Sequence, residues 1–133
     1  LRVVRRQQPA RAGLGDAHSA ADEVEYLNGQ ATSEWGAKRA ANGHPEPYGV
    51  RYWNIGNEPY GWWQIGRTTL DYFMQKHNRF AAAMRAVDPS IILIGSGAMP
   101  DQLHPREAKE NASLASIQPK FGTEEDWTGG LLR

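Results

Sequence analysis

No cysteine occurs among the 133 residues. That removes any disulfide framework and any thiolate metal site, and it leaves the redox compartment open. No run of about 18 apolar residues exists, so no helical membrane span can be read from the chain. An excess of charge of either sign is missing too, since Lys and Arg together number 15 and so do Asp and Glu. A general nucleic-acid or membrane-surface binder carries a basic excess, so neither partner is expected. The chain starts at Leu1 without an initiator Met or an apolar leader core, which fits a processed or truncated chain and leaves cytoplasmic and secreted locations equally open. Phe is scarce at three, whereas Trp and Tyr number five each. Most of these indole and phenol rings fall in one region, Tyr48 to Trp63, which fits a stacking surface.

That region is organised around Val50 to Gly66, a short apolar strand that stops on Asn57-Glu58-Pro59 and opens into an aromatic loop. Before it, residues 1–11 form a basic arm with Arg2, Arg5, Arg6 and Arg11, expected as a solvated terminus. Asp16 or Ser19 can cap a helix running to about Leu27, with Ala20, Ala21, Val24 and Leu27 on one face. Asn28-Gly29 supplies its stop. Residues 30–49 are expected to be loop, because Asn42-Gly43 and Pro45-Glu46-Pro47 forbid a long regular element. Trp35 and Tyr48 are expected to pin that loop.

Residues 50–56 predict a strand apolar on both faces, as in a central parallel strand covered by helices. Thr68 to about Val87 predicts the longest helix, capped by Thr68, with Leu70, Phe73, Met74, His77, Phe80, Ala81, Met84 and Val87 at steps of three and four. Asp88-Pro89 ends it, and Ile91-Ile92-Leu93-Ile94 gives a second buried strand closed by Gly95-Ser96-Gly97. Strand, helix, strand makes a βαβ unit with parallel strands, and the loops after both strands open on one rim, where sites lie in parallel α/β folds. Residues 105–116 and 126–132 are candidate further helices.

Glu58 is the candidate chemical group, at the tip of the first strand. Strand alternation puts it on the face of Tyr52, Asn54 and Gly56. Asn57 offers an amide to a substrate hydroxyl. Tyr60, Trp62 and Trp63 follow Pro59 in a loop, where rings stack on the apolar face of a sugar; Trp53, in mid-strand, reads as core. Sugar cleavage needs a second carboxylate about 5 to 10 Å away. Glu46 lies more than about 20 Å off along an extended strand, Asp101 shares the rim, and Glu124, Glu125 and Asp126 fall in a segment expected to be solvated. The residues thus supply one catalytic carboxylate and no convincing partner. His18, His44, His77 and His104 make no metal-binding pair, and no cofactor or metal is implied. Ser96 lacks a phosphate-loop context and a local His, so no chemical role is expected of it.

Tyr52-Trp53-Asn54-Ile55-Gly56-Asn57-Glu58-Pro59-Tyr60-Gly61 resembles the Gly-Asn-Glu segment of clan A glycoside hydrolases, and closely that of family 51, mostly α-L-arabinofuranosidases. Residues 24–29, 39–48, 90–97 and 126–132 are similar to other stretches of that family in the same order, so the resemblance runs from about Gly13 to Leu132. It implies an α/β fold that is part of a (β/α)8 TIM barrel, about strands four and five with flanking helices. Residues 13–133 would be a fragment of the catalytic barrel and 1–12 an unmatched basic segment. It implies a retaining glycosidase acting on arabinose-containing plant polysaccharides or oligosaccharides, with Glu58 as acid/base, Asn57 on the sugar 2-hydroxyl, and a nucleophile Glu on barrel strand seven. A full barrel takes about 250 residues. The chain would therefore leave strand edges uncovered, and self-association through them is expected. Two alternatives stay open: a non-catalytic carbohydrate-binding or interaction module, and an endo-β-glucanase of the same clan.

Overall fold

The computed structural model describes residues 15–98 and 126–132. They belong to two compact units: one holds the residues up to Arg51 together with Phe80–Ile91, the other Tyr52–Arg79 together with the residues from Ile92 on. Asp101, Glu124, Glu125, the candidate helix at 105–116 and the basic arm at 1–11 lie outside the described residues.

In the first unit, α1 (Ala17–Asn28) starts where its capping signals put it. The Ser19 amide donates to Asp16 Oδ1 at 2.9 Å, and the Ser19 hydroxyl faces the Asp16 amide in return. These bonds from Ser19 favour the ionised Asp16 and hold its carboxyl below the ordinary value. Ala21 and Val24 are buried on the predicted face. The helix stops at Gly29, whose amide still reaches the Glu25 carbonyl.

The next segment departs from expectation. Residues expected to be loop contain α2 (Glu34–Ala41). Ser33 caps it by accepting from the Gly36 amide, and Glu34 and Lys38 pair across one turn at 3.4 Å. Eight residues fit between Ser33 and the Asn42-Gly43 stop, so the later prolines forbid only a longer helix. Trp35 and Tyr48 pin the segment to α1 as expected, but through their backbone amides, which donate to Glu25 Oε2 at 3.3 Å and to the Leu27 carbonyl at 2.8 Å. Tyr48 is exposed and stacks on His44, and Lys38 lies over the Trp35 ring. Arg39 adds a side-chain clasp that was not expected: it is 0% exposed, and its guanidinium donates to the carbonyls of Tyr26, His44 and Pro45 at 2.8, 3.0 and 2.9 Å. Five fixed donors let one side chain satisfy three carbonyls of an irregular segment.

Asn28 makes a second clasp. Its amide donates to the Val50 carbonyl and to Asp88, each at 2.8 Å, and accepts from the Val50 amide at 2.7 Å. With both Val50 backbone groups taken by a side chain, β1 (Tyr52–Ile55) starts two residues later than predicted. Asp88 also accepts from the Ser90 amide and hydroxyl. The Ser90 bonds, aided by Asn28, lower its carboxyl below the ordinary value.

In the second unit, β1 pairs in parallel with β2 (Ile92–Gly95), in the register Tyr52↔Ile92 to Ile55↔Gly95. The expected order of strand, helix and parallel strand is therefore present, with the connecting α3 (Leu70–Val87) counted in this unit up to Arg79. Burial is one-sided, though. Trp53 and Ile55 are buried, while Tyr52, Ile92 and Ile94 are exposed, so the reading of both strands as covered on two faces is corrected. Apolar composition reports what a strand can bury, not what is there to cover it. The α3 cap is Thr69, not Thr68: the Thr69 hydroxyl accepts from the Tyr72 amide, while the Thr68 amide is bound to the Pro59 carbonyl. Leu70 and Phe73 form a buried cluster with Trp127, packed by Tyr60, Met74, Ala98 and Leu131. His77 lies edge-on to Phe73, and its buried Nε2 has no hydrogen-bond partner among the described residues.

Trp127 begins α4 (Trp127–Leu132), the helix predicted there. Asp126 was expected in a solvated segment and is 5% exposed. It caps α4 by accepting from the Gly129 amide at 3.2 Å, which places it beside the buried indole.

Candidate active site

The site grows out of the end of β1. Two residues just past it adopt left-handed backbone: Gly56 at φ +81° and Glu58 at φ +46°. Glycine takes that conformation freely, and here it also fits closely, since a Cβ on Gly56 would meet the Phe73 ring at 3.0 Å. A glutamate takes it at a cost, and such strain persists only where surrounding bonds hold it. Those bonds are visible. The Glu58 amide donates to Ser96 Oγ at 2.9 Å, and the Glu58 carbonyl accepts from the Gly61 amide at 2.7 Å. Because the backbone turns at Gly56 and Glu58, simple strand alternation does not set the direction of Glu58.

The carboxylate is half-buried and held on one oxygen. Trp63 Nε1 donates to Glu58 Oε2 at 2.9 Å, and Gln64 Nε2 approaches the same oxygen at 3.4 Å. The rings form a chain of edge-on contacts: Trp62 on Trp63 at 5.6 Å, Trp63 on Tyr60 at 6.3 Å and Tyr60 on Trp127 at 5.5 Å. Trp127 in turn stacks on Phe73 and donates its indole N–H to the Ser96 carbonyl at 2.9 Å. Ser96 thus joins the buried cluster to the Glu58 loop, by its carbonyl on one side and its hydroxyl on the other.

The structure brings Glu58, Tyr60, Trp62 and Trp63 into one loop and sorts the rings. Trp62 is the most open at 67% exposure, and Trp63 is 42% exposed with its N–H turned to Glu58. Tyr60 leans on the buried cluster and is half-buried. Asn57 is exposed beside Glu58. Gln64 and Ser96 were not assigned roles from sequence. Ser96 had a usable signal, since Gly-Ser-Gly after the second parallel strand opens on the same rim as Glu58. Among the described residues no group of three His, Asp or Glu side chains gathers as a metal site requires.

A carboxyl group fixed just past a parallel strand and edged by exposed indole rings suits proteins that bind or cleave glycosides. The comparisons agree. The family model of the α-L-arabinofuranosidase 1 domain matches residues 8–128, and the chain belongs to that family. An Aspergillus flavus protein described as a probable α-L-arabinofuranosidase C is 39% identical over 85 residues, 64% of this chain and 17% of the relative. The intracellular exo-α-(1→5)-L-arabinofuranosidase 1 of Bacillus subtilis is 40% identical over the same shares. Among solved structures, the α-L-arabinofuranosidase of Thermotoga maritima in its arabinose complex is similar at a TM-score of 0.61 and 38% identity, covering 65% of this chain and 18% of that one. A family 51 α-L-arabinofuranosidase from Bifidobacterium longum gives 0.62 and 33%, over 66% and 17%. The chain thus spans about a sixth of the length of these relatives.

Proposed function

We propose that the chain carries the acid/base side of a retaining α-L-arabinofuranosidase site acting on arabinose-containing oligosaccharides or polysaccharides. Glu58 protonates the leaving oxygen in the first step and deprotonates water in the second. Asn57 binds the sugar 2-hydroxyl. Trp62 flanks the sugar with its open ring, and Tyr60 and Trp63 back the same cleft wall. The observation that carries this reading is the carboxyl of Glu58, held at φ +46° by Ser96 and oriented by Trp63 and Gln64. The mechanism requires a second carboxylate about 5 to 5.5 Å away as nucleophile.

In this reading the chain is part of a (β/α)8 barrel, with β1 and β2 as its fourth and fifth strands. The parallel register and the similarity to family 51 structures support that placement. The test is hydrolysis of an aryl α-L-arabinofuranoside, with Glu58→Gln as control; turnover that survives the substitution rules out the acid/base role. The exposure of Trp62 favours a second reading, a module that binds arabino-oligosaccharides without cleaving them. Binding without hydrolysis, lost in Trp62→Ala, would select it.

A further inference from the structure

Among the described residues two side-chain donors meet Glu58, and both converge on Oε2: the indole N–H of Trp63 and the amide of Gln64. Oε1 receives neither. We propose that Trp63 and Gln64 are positioning residues that reserve Oε1 as the oxygen delivering and retrieving the proton; this rests on the reading of Glu58 as acid/base. In a neutral carboxyl one oxygen carries the proton and the other is a carbonyl oxygen with two lone pairs. Two N–H groups aimed at Oε2 favour the carbonyl there and so put the hydroxyl on Oε1.

The proton steps follow. In the first, the Oε1–H bond breaks as the bond from the anomeric carbon to the leaving oxygen breaks. The proton goes to the leaving oxygen, and the O–H electron pair stays on Glu58. The second carboxylate required by the mechanism takes the anomeric carbon. The charge left on Glu58 is met by the two donors on Oε2, and hydrogen bonds to a charged acceptor are the stronger kind. In the second step Oε1 accepts one proton from a water whose oxygen bonds the anomeric carbon, and the carboxylate nucleophile leaves.

Two further observations support a fixed role for Trp63. Its indole is braced edge-on by Tyr60 and by Trp62. It also lies where only a glycine leaves room, since a Cβ on Gly61 would meet Trp63 Cε2 at 2.6 Å and Nε1 at 2.9 Å. Gly61 is thus a spacer for the indole, and Gly61→Ala displaces Trp63 without touching the carboxyl.

The first readout is the indole N–H resonance in 1H–15N spectra of the chain, identified by its loss in Trp63→Phe. It moves upfield in Glu58→Gln, where a neutral acceptor replaces a charged one, and again in Gly61→Ala, while the Trp35 resonance stays. A Trp63 resonance unmoved by Glu58→Gln overturns the proposal. The second readout is turnover by a protein that joins this chain to the second carboxylate the mechanism requires. Trp63→Phe lowers kcat/KM about tenfold on an arabinofuranoside with an alkyl leaving group, which needs the proton, and about twofold on a dinitrophenyl one. Equal losses on both substrates overturn the positioning role. If Glu58→Gln itself shows no dependence on the leaving group, the acid/base reading falls, and that outcome is distinct from a failure confined to Trp63.

Discussion

Replacing Trp127 tests how the buried cluster supports the Glu58 loop. The residue is 2% exposed, stacks on Phe73, meets Tyr60 edge-on and donates to the Ser96 carbonyl. Trp127→Ala removes the largest ring of the Leu70–Phe73–Trp127 cluster, and large-to-small changes of this kind cost about 3 to 5 kcal/mol. Trp127→Phe keeps most of the stacking and loses the N–H, leaving the Ser96 carbonyl without that donor, for about 1 to 2 kcal/mol. The assay is urea unfolding followed by tryptophan fluorescence, with the midpoint read at an unchanged slope so that a change in stability is separated from a change in compactness. Of the two, Trp127→Ala is expected to remove the larger share of a stability that is typically about 5 to 15 kcal/mol. A cost below about 1 kcal/mol for Trp127→Ala would refute the claim that this cluster holds the loop.

Three more outcomes are expected. Arg39→Met leaves the carbonyls of Tyr26, His44 and Pro45 without their donor and destabilises the first unit by about 3 kcal/mol in the same assay, whereas Arg39→Lys, with no fork, recovers only part. Asp88 has a folded pKa below its ordinary value of 3.8, so its contribution is present above that value and is lost as pH falls through the lower folded value. Acid unfolding from about pH 4 downward should therefore be less steep in Asp88→Asn; an identical acid limb would remove Asp88 from the account. The exposed Tyr52, Ile92 and Ile94 on the parallel pair of β1 and β2 should drive self-association, seen as a concentration-dependent sedimentation coefficient that Ile94→Lys reduces. A monomer at every concentration would contradict it.

The long periodic elements were legible because their signals are local and repeated. Asp16, one of the two expected caps, is the N-cap of α1, with Ser19 completing its capping box, and α3 carries its apolar stripe over 18 residues. The parallel pairing followed from the length of that connection. α2 was missed because eight residues give little periodicity and the side chain at its buried centre is Arg39, which hydropathy places outside. Three carbonyls facing inward make a guanidinium the better filling there. Asp126 was misjudged by the same rule, since its burial comes from capping α4 beside Trp127. At the site, Glu58 was legible as a carboxylate at a strand end. Its direction was not, because it depends on the φ of Gly56 and Glu58 and on a hydroxyl 38 residues away on Ser96. Trp63 was legible as an aromatic near the site, but the commitment of its N–H to Glu58 depends on the room left by Gly61.

The central claim is that Glu58 is the acid/base, and the most direct measurement, in a protein that joins this chain to the second carboxylate the mechanism requires, replaces it with Ala and supplies azide during turnover of an activated aryl α-L-arabinofuranoside. Without Glu58 the second step lacks its base, so hydrolysis should fall by about 10² to 10⁴ fold. Azide, an anion that needs no base, should restore turnover and leave an arabinofuranosyl azide of retained configuration. Hydrolysis within a few fold of the unaltered chain, or an azide product of inverted configuration, would contradict the account.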